Sequence, residues 1–154
     1  MGPNAGCENA SNTCVYGGSD NQASPVEAMC APYTWSQVTQ TVTLLQSIKA
    51  AVGAGKPLKQ VTYTQGANWT TTERDGLAQA VANAREADVV IAVVGDVGDA
   101  TKGRNTCAEG LDASSLDLPG GQLALLEAVA ATGTPVVVVL IHGRSASLFD
   151  SRAA

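Results

Sequence analysis

The stretch ADVVIAVVGD, residues 87–96, sets the architecture of this chain. A strand with one wet face alternates apolar and polar residues, whereas Asp88 to Val94 is apolar on both faces, as in a parallel sheet covered by helices. A second run of the same kind, Pro135 to Ile141, lies within TPVVVVLIHGR (134–144). Parallel neighbours need a long crossover, usually a helix, and Gln122 to Ala131 supplies one, with Leu123, Leu126 and Val129 at helical spacing. Working back towards the N-terminus, Thr70-Thr71-Thr72-Glu73 has the spacing of a capping box and opens a predicted helix through about Glu86, with Leu77, Val81 and Ala84 on its buried face. KQVTYTQG (59–66) alternates like a short strand. Val38, Val42, Leu45, Ile48 and Val52 predict an amphipathic helix from about Ser36 to Val52, closed near Gly53. The expectation is an α/β fold, a three-layer sandwich around a mostly parallel sheet, with residues 36–154 as its βαβ core.

Composition agrees. The chain has 154 residues, rich in alanine, valine and leucine but with only six aromatics, which fits an α/β core better than an all-β sandwich. The net charge of −5 comes with no basic stripe, so nucleic acid is excluded as an expected partner. The longest apolar run, Pro135 to Ile141, falls well short of the ~18 residues that span a bilayer, so no membrane partner is expected either. Four cysteines, Cys7, Cys14, Cys30 and Cys107, contain no CxxC pair, and His142 is the lone histidine, which argues against zinc and for disulfides. Residues 1–35, rich in Gly, Asn, Ser and Pro, read as an irregular segment stapled by the first three cysteines. Two N-x-S/T triplets, at Asn9 and Asn68, agree with a secreted, glycosylated protein. No basic and apolar leader precedes MGPNAGCENAS, so secretion would imply that the natural polypeptide begins earlier.

Functional groups in open parallel sheets gather beyond the carboxyl ends of the strands. Residues 95–118 occupy that place, and they carry Asp96, Asp99, Lys102, Arg104, Glu109, Asp112 and Asp117, most of which any long surface loop would hold. Glu109 stands apart because Cys107 can fix its backbone and Gly110 permits a close approach. A carboxyl group so held can protonate a departing glycosidic oxygen. GDVGDATKG (95–103) lacks both the dinucleotide and the P-loop spacing, and no cofactor is expected. His142 reads as a side chain hydrogen-bonded near a strand end, and nothing around Ser147 and Asp150 resembles a nucleophile elbow.

Taken in order, GPNA (2–5), TLLQSIKAAVG (43–53), VTYTQGAN (61–68), ADVVIAVVGD (87–96), AEGLDASSLDLPGGQLALLEAV (108–129) and TPVVVVLIHGR (134–144) resemble the C-terminal α/β-sandwich domain of glycoside hydrolase family 3. The E-G-x-D loop, the L-x-L-P-G-x-Q helix start and the V-V-V-L-x-x-G-R strand together carry the likeness. CAPYT (30–34) looks like the cysteine-containing segment of the β-xylosidase-like branch. In two places this sequence departs from the family pattern: Ala113 stands where an arginine is common, and Ser145 where a proline is usual.

The resemblance implies a retaining exo-β-glycosidase of β-xylosidase or β-glucosidase type, acting on plant-type oligosaccharides. In it an N-terminal (β/α)8 barrel, absent from these 154 residues, provides an aspartate nucleophile, and this domain provides the acid/base. Glu109 is the matching residue, with Asp96 and Asp112 as substrate-binding candidates and Asp96 and Asp99 as substitutes for the acid. The family domain is longer at both ends, so this chain is expected to be a partial domain, inactive alone. Four cysteines allow three pairings, with Cys7–Cys14 and Cys30–Cys107 the expected one. The alternatives are a self-sufficient Rossmann- or flavodoxin-like ligand-binding module without catalysis, or an interaction piece whose N-terminal segment contacts a partner domain.

Overall fold

The structure is a computed structural model that describes residues 1–5, 43–53, 60–99, 104–107 and 112–148. In chain order it contains α1 (Leu44–Gly53), α2 (Leu77–Glu86), β1 (Val90–Gly95), the short β2 (Gly98–Asp99) and β3 (Arg104–Asn105), α3 (Gln122–Ala130) and β4 (Val136–Ile141). β1 and β4 pair in parallel, from Val90 opposite Val136 to Gly95 opposite Ile141, and α3 lies between them in sequence. This is the α/β crossover unit that the two apolar runs predict.

β1 is flanked on its other edge as well. The Met1 amino group donates to Ile91 O at 2.7 Å and Val93 N–H donates to Met1 O at 3.0 Å, the slanted pattern of a parallel pair centred on Ala92. Gly2 N–H continues outward to Thr64 O at 3.2 Å, which is how residues 60–68 reach the sheet, although no ladder forms there among the described residues. With neighbours on both sides, β1 is the buried centre, and Val90, Ala92, Val93 and Val94 are each nearly inaccessible.

The helices sit where small residues let them come close. Ala80 and Ala84 of α2 are fully buried and join Ala67, Val90, Ala92, Leu125 and Val129 in one core. Leu125 and Val129 come from α3, whose buried set includes Gln122 rather than the predicted Leu123 and Leu126, both only partly buried. The C-terminal end of α2 is tied down by Thr134, whose hydroxyl donates to Ala84 O at 2.7 Å.

Both outer helix starts differ from the sequence expectation. α1 is opened by Thr43: its hydroxyl accepts from Gln46 N–H at 3.1 Å while its own N–H donates to Gln46 Oε1 at 2.8 Å, a reciprocal capping box. The predicted earlier turns, residues 36–42, lie outside the described residues. α2 does not start at Thr70, because Asn68 Oδ1 takes both the N–H and the hydroxyl of Thr70, at 3.0 and 3.2 Å. The helix begins instead after Gly76, whose φ of 83° turns the chain in a way that favours glycine.

β4 corrects the expectation of a fully buried strand. Val137, Val138 and Leu140 are 50%, 39% and 40% exposed, and Val89, just before β1, is 47% exposed. α2 and α3 pack over β1, so β4 is an edge whose outer rim no described residue covers. Such an edge is a template for further pairing. The 154-residue chain is therefore expected to bind a hydrophobic dye and self-associate, and Val137→Lys to lower the associated fraction in sedimentation while costing less than about 1 kcal/mol of stability.

A second expectation follows from Met1. Burial lowers its amino group from 8.0 to about 6, since the charged form is desolvated. Between those values the unfolded chain binds more protons than the folded one, so stability rises with pH from about 6 to 8 and the penalty is complete below 6. Denaturant unfolding of the 154-residue chain at pH 5.5 and 8.5 should differ by roughly 2 kcal/mol; equal values would remove the assignment.

Candidate functional site

Beyond Val94 the parallel strand has to end, and the groups at its end are satisfied from four directions. Gln122, the first residue of α3, grips the Gly95 peptide. Its Oε1 accepts from Gly95 N–H at 2.8 Å, and its Nε2 donates to Gly95 O at 2.7 Å and to Pro119 O at 3.0 Å. Gly95 itself has φ 148°, and a Cβ there would lie 1.7 Å from Ile141 O, so no other residue fits between the strands.

Asp96 follows. Its N–H continues the ladder to Ile141 O at 3.1 Å, and its carbonyl accepts from Asn4 Nδ2 at 3.0 Å. Asn4 Oδ1 in turn accepts from Trp69 Nε1 at 2.9 Å, and Trp69 packs on Val97, both inaccessible. The Asp96 carboxylate is turned inward, and the residue is 3% exposed. Oδ1 accepts from the Thr106 hydroxyl at 2.8 Å. Oδ2 faces His142 Nε2 at 3.1 Å and Arg144 Nε at 3.9 Å, short of an aligned hydrogen bond. His142 Nδ1 accepts from Arg144 N–H at 3.1 Å, so a neutral ring carries its proton on Nε2, towards Asp96. His142 thus sits where the sequence puts it, bonded at a strand end.

Thr106 links this cluster to the loop. Its hydroxyl accepts from Val97 N–H at 2.9 Å, and Val97 O accepts from the N–H groups of Thr106 at 2.8 Å and Cys107 at 3.3 Å. Together with the antiparallel β2–β3 pair these bonds close the hairpin that leaves and returns to the end of β1. Cys107 is inaccessible, and no cysteine among the described residues is a free thiol.

The other predicted residues distribute as follows. Asp112 is exposed, at the start of the run that leads to Asp117, which bridges to Ser147. Asp99 lies in β2. Glu109, Cys7, Cys14, Cys30 and Asn9 fall outside the described residues. Asn68 is partly buried, next to the inaccessible Trp69. A cavity of about 320 Å³, lined by Thr64, Gln65, Gly66, Asn68, Glu73 and Asp75 among others, shares no residue with the Asp96 cluster. Among the described residues no cluster of side chains could hold a metal ion, and no helix is long and apolar enough to cross a membrane. Sequence reasoning missed Asn4, Thr106 and Gln122, polar residues whose partners lie far along the chain.

Over its whole length, residues 1–154, the sequence matches the Glycosyl hydrolase family 3 C-terminal domain. The chain belongs to this family. Among curated proteins, this family 3 domain is 36% identical to a β-xylosidase of Formosa agariphila over 107 residues, covering 70% of the chain and 14% of the relative. It is 30% identical to a periplasmic β-glucosidase of Salmonella typhimurium over 138 residues, covering 75% and 17%. Among solved structures, a β-glucosidase from Erythrobacter marinus superposes with a TM-score of 0.54 at 29% identity, over 68% of this chain and 17% of that one. The family 3 domain therefore spans about one sixth or less of the length of these relatives.

The Gln122 grip has a measurable weight. Gln122→Met keeps the volume but leaves Gly95 N–H and C=O buried and unpaired, each worth about 1–3 kcal/mol. Thermal unfolding of this variant should show a loss on the order of 3 kcal/mol, whereas Gln79→Met, an exposed helix position, should change stability by less than about 0.5 kcal/mol.

Proposed function

We propose that this chain is the acid/base-bearing part of a secreted, retaining exo-β-glycosidase that removes β-xylosyl or β-glucosyl units from plant-type oligosaccharides, and that it works against a (β/α)8 barrel carrying an aspartate nucleophile. The observation that carries the reading is the family match along the full 154 residues. Relatives named β-xylosidase and β-glucosidase support the sugar class. The chemistry is a double displacement. Glu109, protonated, gives its proton to the glycosidic oxygen as the aspartate attacks the anomeric carbon and the leaving group departs. Glu109, now ionised, then takes a proton from the water that attacks the same carbon and releases the aspartate. Such a pair works with its carboxyl groups ~5–5.5 Å apart, which a loop at a strand end facing a second domain can provide. Asp112, three residues beyond and exposed, is assigned the role of accepting from sugar hydroxyls.

The same reading takes in the cysteines and the sequons. We assign Cys30–Cys107 and Cys7–Cys14 as the disulfides of an extracellular protein, the first anchoring the acid loop. Glycosylation is assigned to Asn9 and Asn68; with Trp69 of the second sequon inaccessible, addition there would precede folding. The isolated 154 residues lack the nucleophile and are not expected to turn over a glycoside.

In the complete enzyme, Glu109→Ala should lower kcat/KM roughly 10²- to 10⁴-fold on an unactivated disaccharide while azide restores turnover of an activated aryl glycoside. Wild-type rates on the disaccharide would remove Glu109 from the role.

A further inference from the structure

We infer that Asp96 and Thr106 are positioning residues for the acid/base: a buried carboxylate–hydroxyl clamp that fixes the base of the loop carrying Glu109. The inference rests on the proposed role of Glu109 and goes beyond it by naming what holds that role in place.

The clamp is visible in full. Thr106 hydroxyl donates to Asp96 Oδ1 at 2.8 Å and accepts from Val97 N–H at 2.9 Å, so the same oxygen bridges a side chain and a backbone group at the end of β1. Val97 O receives Thr106 N–H and Cys107 N–H, which fixes the backbone at these two residues, the second of them two positions before Glu109 in sequence. Asp96 cannot swing to follow the loop. His142 Nε2 stands 3.1 Å from its second oxygen, Asn4 holds its carbonyl, and its N–H is in the ladder to Ile141. An ionisable carboxylate that is 3% exposed costs several kcal/mol to bury unless it is well paired. An apolar set of the same volume in place of the whole polar cluster would serve core stability as well. What the carboxylate adds is direction: it fixes one rotamer of the Thr106 hydroxyl, beside the backbone of Thr106 and Cys107 held by Val97 O.

An acid displaced by about 1 Å loses on the order of 10²-fold in rate, and a donor contributes only where the leaving group needs a proton. The test is therefore selective. In the complete enzyme, Thr106→Val removes the bridge at nearly constant volume, Thr106→Ser keeps it, and Asp96→Asn weakens it. Each is assayed on an unactivated disaccharide and on a 2,4-dinitrophenyl glycoside, with thermal unfolding alongside. Thr106→Val is expected to lower kcat/KM on the disaccharide roughly 10- to 100-fold and to leave kcat/KM on the dinitrophenyl substrate, which reports the first displacement only, within about threefold, while Thr106→Ser restores the disaccharide value. An equal loss of kcat/KM on both substrates, no loss on either, or no restoration by serine overturns the inference. Glu109→Ala, run in parallel, separates the two levels. If it lacks the leaving-group signature the acid assignment fails; if it shows it and Thr106→Val does not, the clamp alone fails. Should Asp96→Asn not fold, Thr106→Val and Thr106→Ser carry the comparison.

Discussion

The end of a buried parallel strand is the constraint on which the rest of this structure depends. Within β1, ladder bonds to β4 and to Met1 satisfy the backbone, but the Gly95 N–H and C=O find no strand partner among the described residues and the Asp96 N–H makes the last ladder bond, to Ile141 O, while the chain is still away from water. Each N–H and C=O left there needs a partner or costs about 1–3 kcal/mol. The chain meets this with polar side chains brought from remote places: Gln122 from the start of α3 bonds the Gly95 N–H and C=O, Asn4 from the chain's first residues bonds the Asp96 C=O, and Thr106 from the returning hairpin bonds the Val97 N–H. The sheet, the crossover helix and the loop are joined at one point because they answer the same shortage.

That convergence suits the place where the chemistry is proposed. A hairpin that returns to the strand it left has its ends fixed by the core, and a residue just past such an anchor inherits the rigidity of the sheet without being buried in it. Of the charged loop, the described ends are held at Val97, Thr106 and Cys107 and exposed at Asp112.

How much of this could be read from the sequence varies with the range of the interaction involved. The two parallel strands were legible because each is an unbroken apolar run, and α3 because its apolar residues recur on period. The helix starts were less legible. Thr70–Glu73 and Thr43–Gln46 have the same capping spacing, and only the second forms a box, because in the first Asn68 captures the threonine. β4 reads as buried in sequence and is half exposed in the fold, since the core is built over β1 and no described residue covers the outer rim of β4. In the site, His142 at a strand end was a local reading that held, whereas Asn4, Thr106 and Gln122 are ordinary polar residues until the topology brings their partners across. Glu109 stood apart locally through Cys107 and Gly110 beside it, but its expected role as the acid/base came from the combination of family motifs.

The tie between the first residues and β1 also bears on when the domain can form. Met1 bonds Ile91, and Asn4 reaches Trp69 and Asp96, separations of 90, 65 and 92 positions. Contacts that distant in sequence close slowly, because chain entropy opposes each of them before any neighbouring contact repays it. During synthesis the central strand emerges long after the segment that must lie beside it, so the N-terminal residues have to wait unpaired on the ribosome until most of the domain has followed them out.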